Sequence, residues 1–103
     1  MSTTQLLAQA AREHQAGRLI EAELIYRRVL SSEPEQPDAL SNLGLLLGQT
    51  RKFGEAEQVL QRLVARAPGY AGGHVNLALI LHQQQKFAEA IASCERAMDT
   101  VEN

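Results

Sequence analysis

Tryptophan is absent from this chain of 103 residues, and aromatic side chains make up only 4% of it. Cysteine occurs once, at Cys94, so neither an internal disulfide nor a multi-cysteine zinc site can form. A lone thiol suits a reducing compartment, and the expected location is cytoplasmic. Charge of either sign is scarce in excess: the net value is -2, too little to imply nucleic acid or an anionic membrane as partner. The N-terminus, Met1-Ser-Thr-Thr-Gln, has no basic start and no apolar run of signal-peptide length. The longest uncharged stretch, Pro68 to Gln85, holds two His, an Asn and three Gly, which excludes a membrane span. No glycine-rich phosphate loop occurs. Gly69, Gly72 and Gly73 have no strand before them and no Lys-Ser/Thr after them, so they are expected only to loosen a helix start.

What is present is a period. Arg18-Leu19-Ile20-Glu21-Ala22-Glu23 returns 34 residues later as Lys52-Phe53-Gly54-Glu55-Ala56-Glu57, and again as Lys86-Phe87-Ala88-Glu89-Ala90-Ile91. Pro34 and Pro68 keep the same phase, as do Asn42 and Asn76. Such a period marks an array of helix-turn-helix units, each unable to bury its apolar face alone. The length is that of one domain, which buries roughly 60–70% of its unfolded surface.

The apolar spacing is helical throughout. Leu40, Leu43, Gly44 and Leu47 fall at i, i+3, i+4 and i+7, as do Ala56, Leu60, Leu63 and Val64, and His74, Leu77, Ala78 and Leu81. Six helices are predicted, at about Thr4–Ala16, Leu19–Ser32, Pro37–Thr50, Phe53–Arg66, Ala71–Gln84 and Phe87–Val101. Gly17 closes the first in a left-handed conformation that glycine adopts cheaply. Pro34 and Pro68 stop the second and fourth, because proline disfavours helical geometry in the residue before it. Pro37-Asp38 suits a first helical turn. Short connections make successive helices antiparallel. The small residues Ala22, Ala56 and Ala90 are expected where the two helices of a repeat cross, and Gly44 and Ala78 where a first helix meets its neighbour. Bulkier residues are expected beside these small ones: Tyr26, Leu60 and Cys94 share a phase, as do Leu19, Phe53 and Phe87, so Cys94 is expected to be a small core residue.

On these residues the chain resembles a tetratricopeptide repeat (TPR) array. The second repeat matches through Leu40, Asn42-Leu43-Gly44, Leu47, Phe53, Glu55-Ala56, Leu60, Leu63 and Pro68. The third matches through Asn76-Leu77-Ala78, Leu81, Phe87, Glu89-Ala90 and Ala97-Met98. The first matches in its second half, whereas Gln9 and Glu13 stand where apolar residues are usual, as in a repeat with no outer neighbour. The resemblance implies an all-α, right-handed α-solenoid of three repeats, about residues 3–36, 37–70 and 71–103, forming a single domain over 1–103. No separate C-terminal capping helix is expected. The chain is therefore expected to be part of a longer array, or to be covered by another copy, with Ile91, Met98 and Val101 exposed on the sixth helix and a weak homodimer forming through it.

The resemblance also places a concave face on the first helix of each repeat. There stand Leu7, Ala11 and His14 from the first, Asn42, Leu45 and Gln49 from the second, and Asn76, Leu79, His82 and Gln83 from the third. These are the candidate partner-binding residues. Asn42 and Asn76 resemble the asparagine ladder of O-linked N-acetylglucosamine transferase TPRs, since an amide can pair with any peptide backbone; the alternative is that Asn at this place is simply common in the repeat. The carboxylate clamp of chaperone-tail-binding TPRs is absent. Its places hold Leu7, Ala11, Asn42, Gly72 and Asn76, with no cation to bind a terminal carboxylate.

Catalysis finds no footing in the sequence. His14 and His82 stand two repeats apart, roughly 20 Å, and His74 and His82 about 12 Å apart along one helix, too far to share a metal. No motif gives Cys94 a base. Arg27-Arg28 and Arg51-Lys52 are flanked by acids and read as solvated charge. The expected function is a non-enzymatic scaffold that binds a peptide or protein and needs no cofactor. The alternatives are a substrate-positioning piece of a larger glycosyltransferase- or sulfotransferase-like enzyme, as in some bacterial TPR proteins, and a self-associating structural unit.

Overall fold

A computed structural model describes residues 1–102, apart from the side chains of Val101 and Glu102. Among the described residues there are six helices: α1 (Thr3–Gln15), α2 (Leu19–Ser32), α3 (Pro37–Gln49), α4 (Phe53–Arg66), α5 (Ala71–Gln83) and α6 (Phe87–Glu102). The expected bounds hold to within a residue. The helices pack as antiparallel pairs, α1 on α2, α3 on α4 and α5 on α6, stacked into an α-solenoid of 39 × 29 × 20 Å.

Local chemistry sets the helix ends. Ser2 caps α1 in a capping box, its hydroxyl accepting from the Gln5 N–H while the Gln5 side chain accepts from the Ser2 N–H. Gln36 caps α3 by accepting from the Ala39 N–H at 2.8 Å, with Pro37 at the first turn. The first helix of every pair ends in the same left-handed step. Gly17 (φ 82°), Arg51 (φ 65°) and Gln85 (φ 64°) occupy it. The next residue then donates back five positions: Arg18 N–H to the Glu13 carbonyl, Lys52 to Leu47 and Lys86 to Leu81, at 2.8–2.9 Å.

The core runs through the middle pair. Leu40, Leu43, Leu46 and Leu47 of α3 and Leu60 and Leu63 of α4 are buried, each contributing about 1.5–3 kcal/mol. Ala22, Ala56 and Ala90 are buried as expected. Gly44 meets the second helix of its own pair: a Cβ there would lie 2.5 Å from Leu60 Cδ2. Gly73 does more than loosen a helix start, since a Cβ there would come within 2.9 Å of Leu63 Cδ2, so its bareness lets α5 close on α4.

Cys94 corrects the phase argument. It is exposed, although Tyr26 and Leu60 at the corresponding places are buried. A further pair packs on each of the first two pairs, and no pair follows α6 among the described residues. Ile91 and Met98 are exposed as expected, at 59% and 60%; the Val101 side chain lies outside the described residues.

The repeated basic residue ties one pair to the next. Lys52 reaches Glu23 at 3.9 Å, and Lys86 reaches Glu57 at 3.0 Å. No pair precedes that of Arg18 among the described residues, and it turns to Glu13 instead. The Lys86 hydrogen bond holds the Glu57 carboxyl below its ordinary range, and Gln84 adds a bond at 2.7 Å. Arg27 pairs with Glu23 in its own helix and Glu55 in the next pair. Such exposed pairs contribute little each and chiefly fix register.

Candidate binding groove

The first helices α1, α3 and α5 lie side by side along one face of the stack. Between α1 and α3 a cleft of about 370 Å³ is lined by Ala11, His14, Gln15, Tyr26, Asn42, Leu45 and Gln49. Five of the expected residues, Ala11, His14, Asn42, Leu45 and Gln49, therefore converge on one site. Ala11 and Leu45 give apolar walls. His14 is fixed from both ring nitrogens: Nε2–H donates to Gln49 Oε1 at 2.6 Å, which leaves Nδ1 to accept from the Tyr26 hydroxyl at 3.5 Å. The two rings meet edge to face with centroids 6.2 Å apart. Burial pushes the Tyr26 phenol up from its ordinary value. No Lys, Arg, Asp or Glu lines the cleft.

The two asparagines differ. The Asn42 side chain makes no hydrogen bond among the described residues and is half-buried at the cleft wall. The Asn76 amide nitrogen donates to the Ser41 hydroxyl at 2.9 Å and to its carbonyl at 3.2 Å, pinning α5 to α3. At the place corresponding to Ser41 one repeat earlier stands Leu7, which has nothing to offer Asn42. Leu7 itself packs, half-buried, against the core. Gln83 borders a second cleft of about 550 Å³ with Gln49 and His82. Leu79 and His82 line a third opening, between α5 and α6, and His82 lies edge to face with Phe87 at 5.3 Å.

Sequence reasoning missed three features. Tyr26 enters the cleft, having been read only as core filling; its polar tip was the available signal. Tyr70 donates to Asp38 Oδ1 at 2.6 Å and joins the start of α5 to the start of α3. Gly48 lets the Ile80 side chain of α5 lie against bare α3 backbone. His74 is buried and donates Nε2–H to the Pro68 carbonyl at 2.9 Å, a packing role. Among the described residues no group of three or more His, Cys, Asp or Glu is placed to hold a metal. Among the described residues no helix is long and apolar enough to cross a membrane.

Antiparallel helix pairs recurring every 34 residues, with one helix of each lining a common face, define an α-helical repeat solenoid. The tetratricopeptide repeat family model matches residues 6–71 and again 42–101, and the chain belongs to that family. No curated protein matches the sequence. Among solved structures, an O-GlcNAc transferase mutant from Thermobaculum terrenum is 33% identical with a TM-score of 0.91, over 95% of this chain and 19% of that one. The first TPR of Spaghetti (RPAP3), bound to the Hsp90 peptide SRMEEVD, is 22% identical with a TM-score of 0.91, over 98% and 80%. The type III secretion translocator chaperone SycD of Yersinia enterocolitica, in an alternative dimer, is 17% identical with a TM-score of 0.91, over 98% and 76%. The last two likenesses are of fold.

Proposed function

We propose that this chain is a protein-interaction module that holds a peptide segment of a partner along the face formed by α1, α3 and α5. The observation that carries this reading is the uncharged cleft between α1 and α3, where a held imidazole and an uncommitted amide stand beside apolar walls. Amides serve a peptide backbone without demanding a sequence, and the apolar walls bury side chains. The first TPR of Spaghetti, which shares this fold, is bound to an Hsp90 peptide, and that supports peptide capture. That peptide carries several carboxylates, and no cation lines the cleft here, so a neutral segment suits it better.

Peptides selected by display against the chain test the reading through backbone chemical-shift mapping. Shifts should concentrate at Ala11, His14, Asn42, Leu45 and Gln49, and affinity should vary little with salt, because few charges are engaged. Asn42→Ala should weaken binding by about 0.5–1.5 kcal/mol and leave the melting temperature unchanged. Asn76→Ala should lower the melting temperature, because its amide already serves Ser41. Shifts clustered around Arg27 and Arg28, with affinity falling steeply in salt, would move the site to the opposite face.

A second reading rests on the 33% identity to the transferase, of which this chain spans 19%. Here the same groove positions a substrate for a catalytic domain encoded in the same reading frame, and the gene sequence beyond codon 103 decides it.

A further inference from the structure

Between α5 and α6 lies an apolar slot of about 580 Å³, distinct from the concave cleft. Val75, Leu79, Phe87, Ile91 and Met98 line it and are 46–60% exposed. Three lining residues stand one period after residues of α3 or α4 that meet α5: Val75 after Ser41, which holds Asn76, His82 after Gly48, which lies against Ile80, and Met98 after Val64, which lies beside Gly73. The slot is thus the third in a series whose first two members are filled. α3 fills the one over α1 and α2, with Ala39 against Val29 and Leu30. α5 fills the one over α3 and α4, with Gly73 against Leu63 and Val64.

The three slots differ in ways that specify the occupant. The α5 slot carries Ser41 and Gly48 on its floor, but Val75 and His82 stand at those places in the open slot, as Leu7 and His14 do beneath α3. The open slot therefore matches a helix of the α3 kind. Such a helix has Ala39, Leu43 and Leu46 on one side, and Gln49 bonded to His14. Both filled slots also carry a rim glutamate, Glu23 or Glu57, which takes a lysine from the incoming pair. Ile91 replaces that glutamate in the open slot, so no lysine is called for there. A second copy stacked head to tail supplies the wrong face. The corresponding positions of its α1 are Gln5, Gln9 and Arg12.

We propose that this slot receives an amphipathic α-helix from a partner protein, bearing a small residue, leucine-sized residues four and seven positions on, and an amide at ten. The mode is helix in groove, continuing the internal stack across a molecular boundary. It is separate from peptide capture in the concave cleft, and each can fail without the other.

Cys94 reports occupancy, being the chain's single cysteine, exposed, and within the slot. The probes are two blocked peptides with the sequences of residues 36–50 and 70–84, added to the 103-residue chain while a thiol reagent titrates Cys94. The 36–50 peptide should slow the reaction saturably, about tenfold at roughly ten times its dissociation constant. The 70–84 peptide should protect more weakly. Met98→Glu in the protein should abolish protection, and Asn42→Ala should leave it intact. The proposal is overturned if neither peptide protects Cys94, or if the 36–50 peptide protects equally well with Ser at both Leu43 and Leu46. Protection that grows with protein concentration alone would give the slot to a second copy. A thiol already unreactive in a longer natural form would give it to the chain's own continuation.

Discussion

At the end of α1, α3 and α5 the backbone makes one left-handed step, and only the first of the three carries glycine. A side chain in that conformation costs about 1–2 kcal/mol, whereas glycine brings an entropic cost of roughly 0.5–1 kcal/mol. The difference favours glycine. Gln85→Gly should raise stability by about 0.5–1 kcal/mol, read as a higher urea midpoint at unchanged slope. Arg51→Gly should gain less, since the Arg51 guanidinium lies 5.4 Å from the centre of the Phe53 ring. Gly17→Ala should lose stability through the backbone alone, because a Cβ there meets nothing within 4 Å. Gly17 was legible in the sequence as a helix stop; Arg51 and Gln85 share its geometry without sharing its chemistry. Cys94 shows the reverse limit. Phase locates a residue within its own pair, but burial also needs the pair that follows.

Helix by helix, punctuation was the readable part. Pro34, Pro37, Pro68 and Gly17 fix ends through backbone sterics, a local property that sequence states directly. Contacts between helices were readable where they recur, as at Ala22, Ala56 and Ala90. They were not readable where they occur once. Asn76 meets Ser41, but the same place is Leu7 earlier and Val75 later, so no period announces the bond. Ala56 is fully buried in α4. Ala56→Leu should therefore destabilise by about 1–3 kcal/mol through overpacking, and thermal melting checks it. An unchanged melting temperature would mean that the crossing point lies elsewhere on α4.

Across the whole molecule, stability is unevenly spread. α3 buries eight of its thirteen residues, against Leu6 and Ala10 alone in α1. In a repeat stack each pair rests on its neighbours, so the middle one is held from both sides and the ends open first. Amide exchange should be slowest in α3 and α4, and fastest in α1 and the last turns of α6; equal protection throughout would show a single all-or-none unit. The candidate cleft was half legible for a related reason. The family pattern assigns a face to every first helix, and five of the assigned residues gather between α1 and α3. The pattern does not state that no pair follows α6 among the described residues, and Leu79 and His82 line the slot beside α6.

Two tyrosines and no tryptophan give the molecule a spectroscopy of its own. Each ring sits at a different joint. Tyr26 stands in the cleft between α1 and α3, and Tyr70 links the starts of α3 and α5. Intrinsic fluorescence thus has two sources, and replacing either tyrosine by phenylalanine isolates the other. A ligand in the cleft should perturb the Tyr26 signal alone. In alkali the two phenols should ionise late. Burial raises both, and burial together with the Asp38 hydrogen bond pushes Tyr70 up to about 12. The unfolded chain releases these protons near pH ~10. The folded state therefore keeps its advantage below that value and loses it as the pH climbs toward the Tyr70 value. Tyrosinate absorbance during an alkaline titration would record the second joint loosening as it happens, with no label attached.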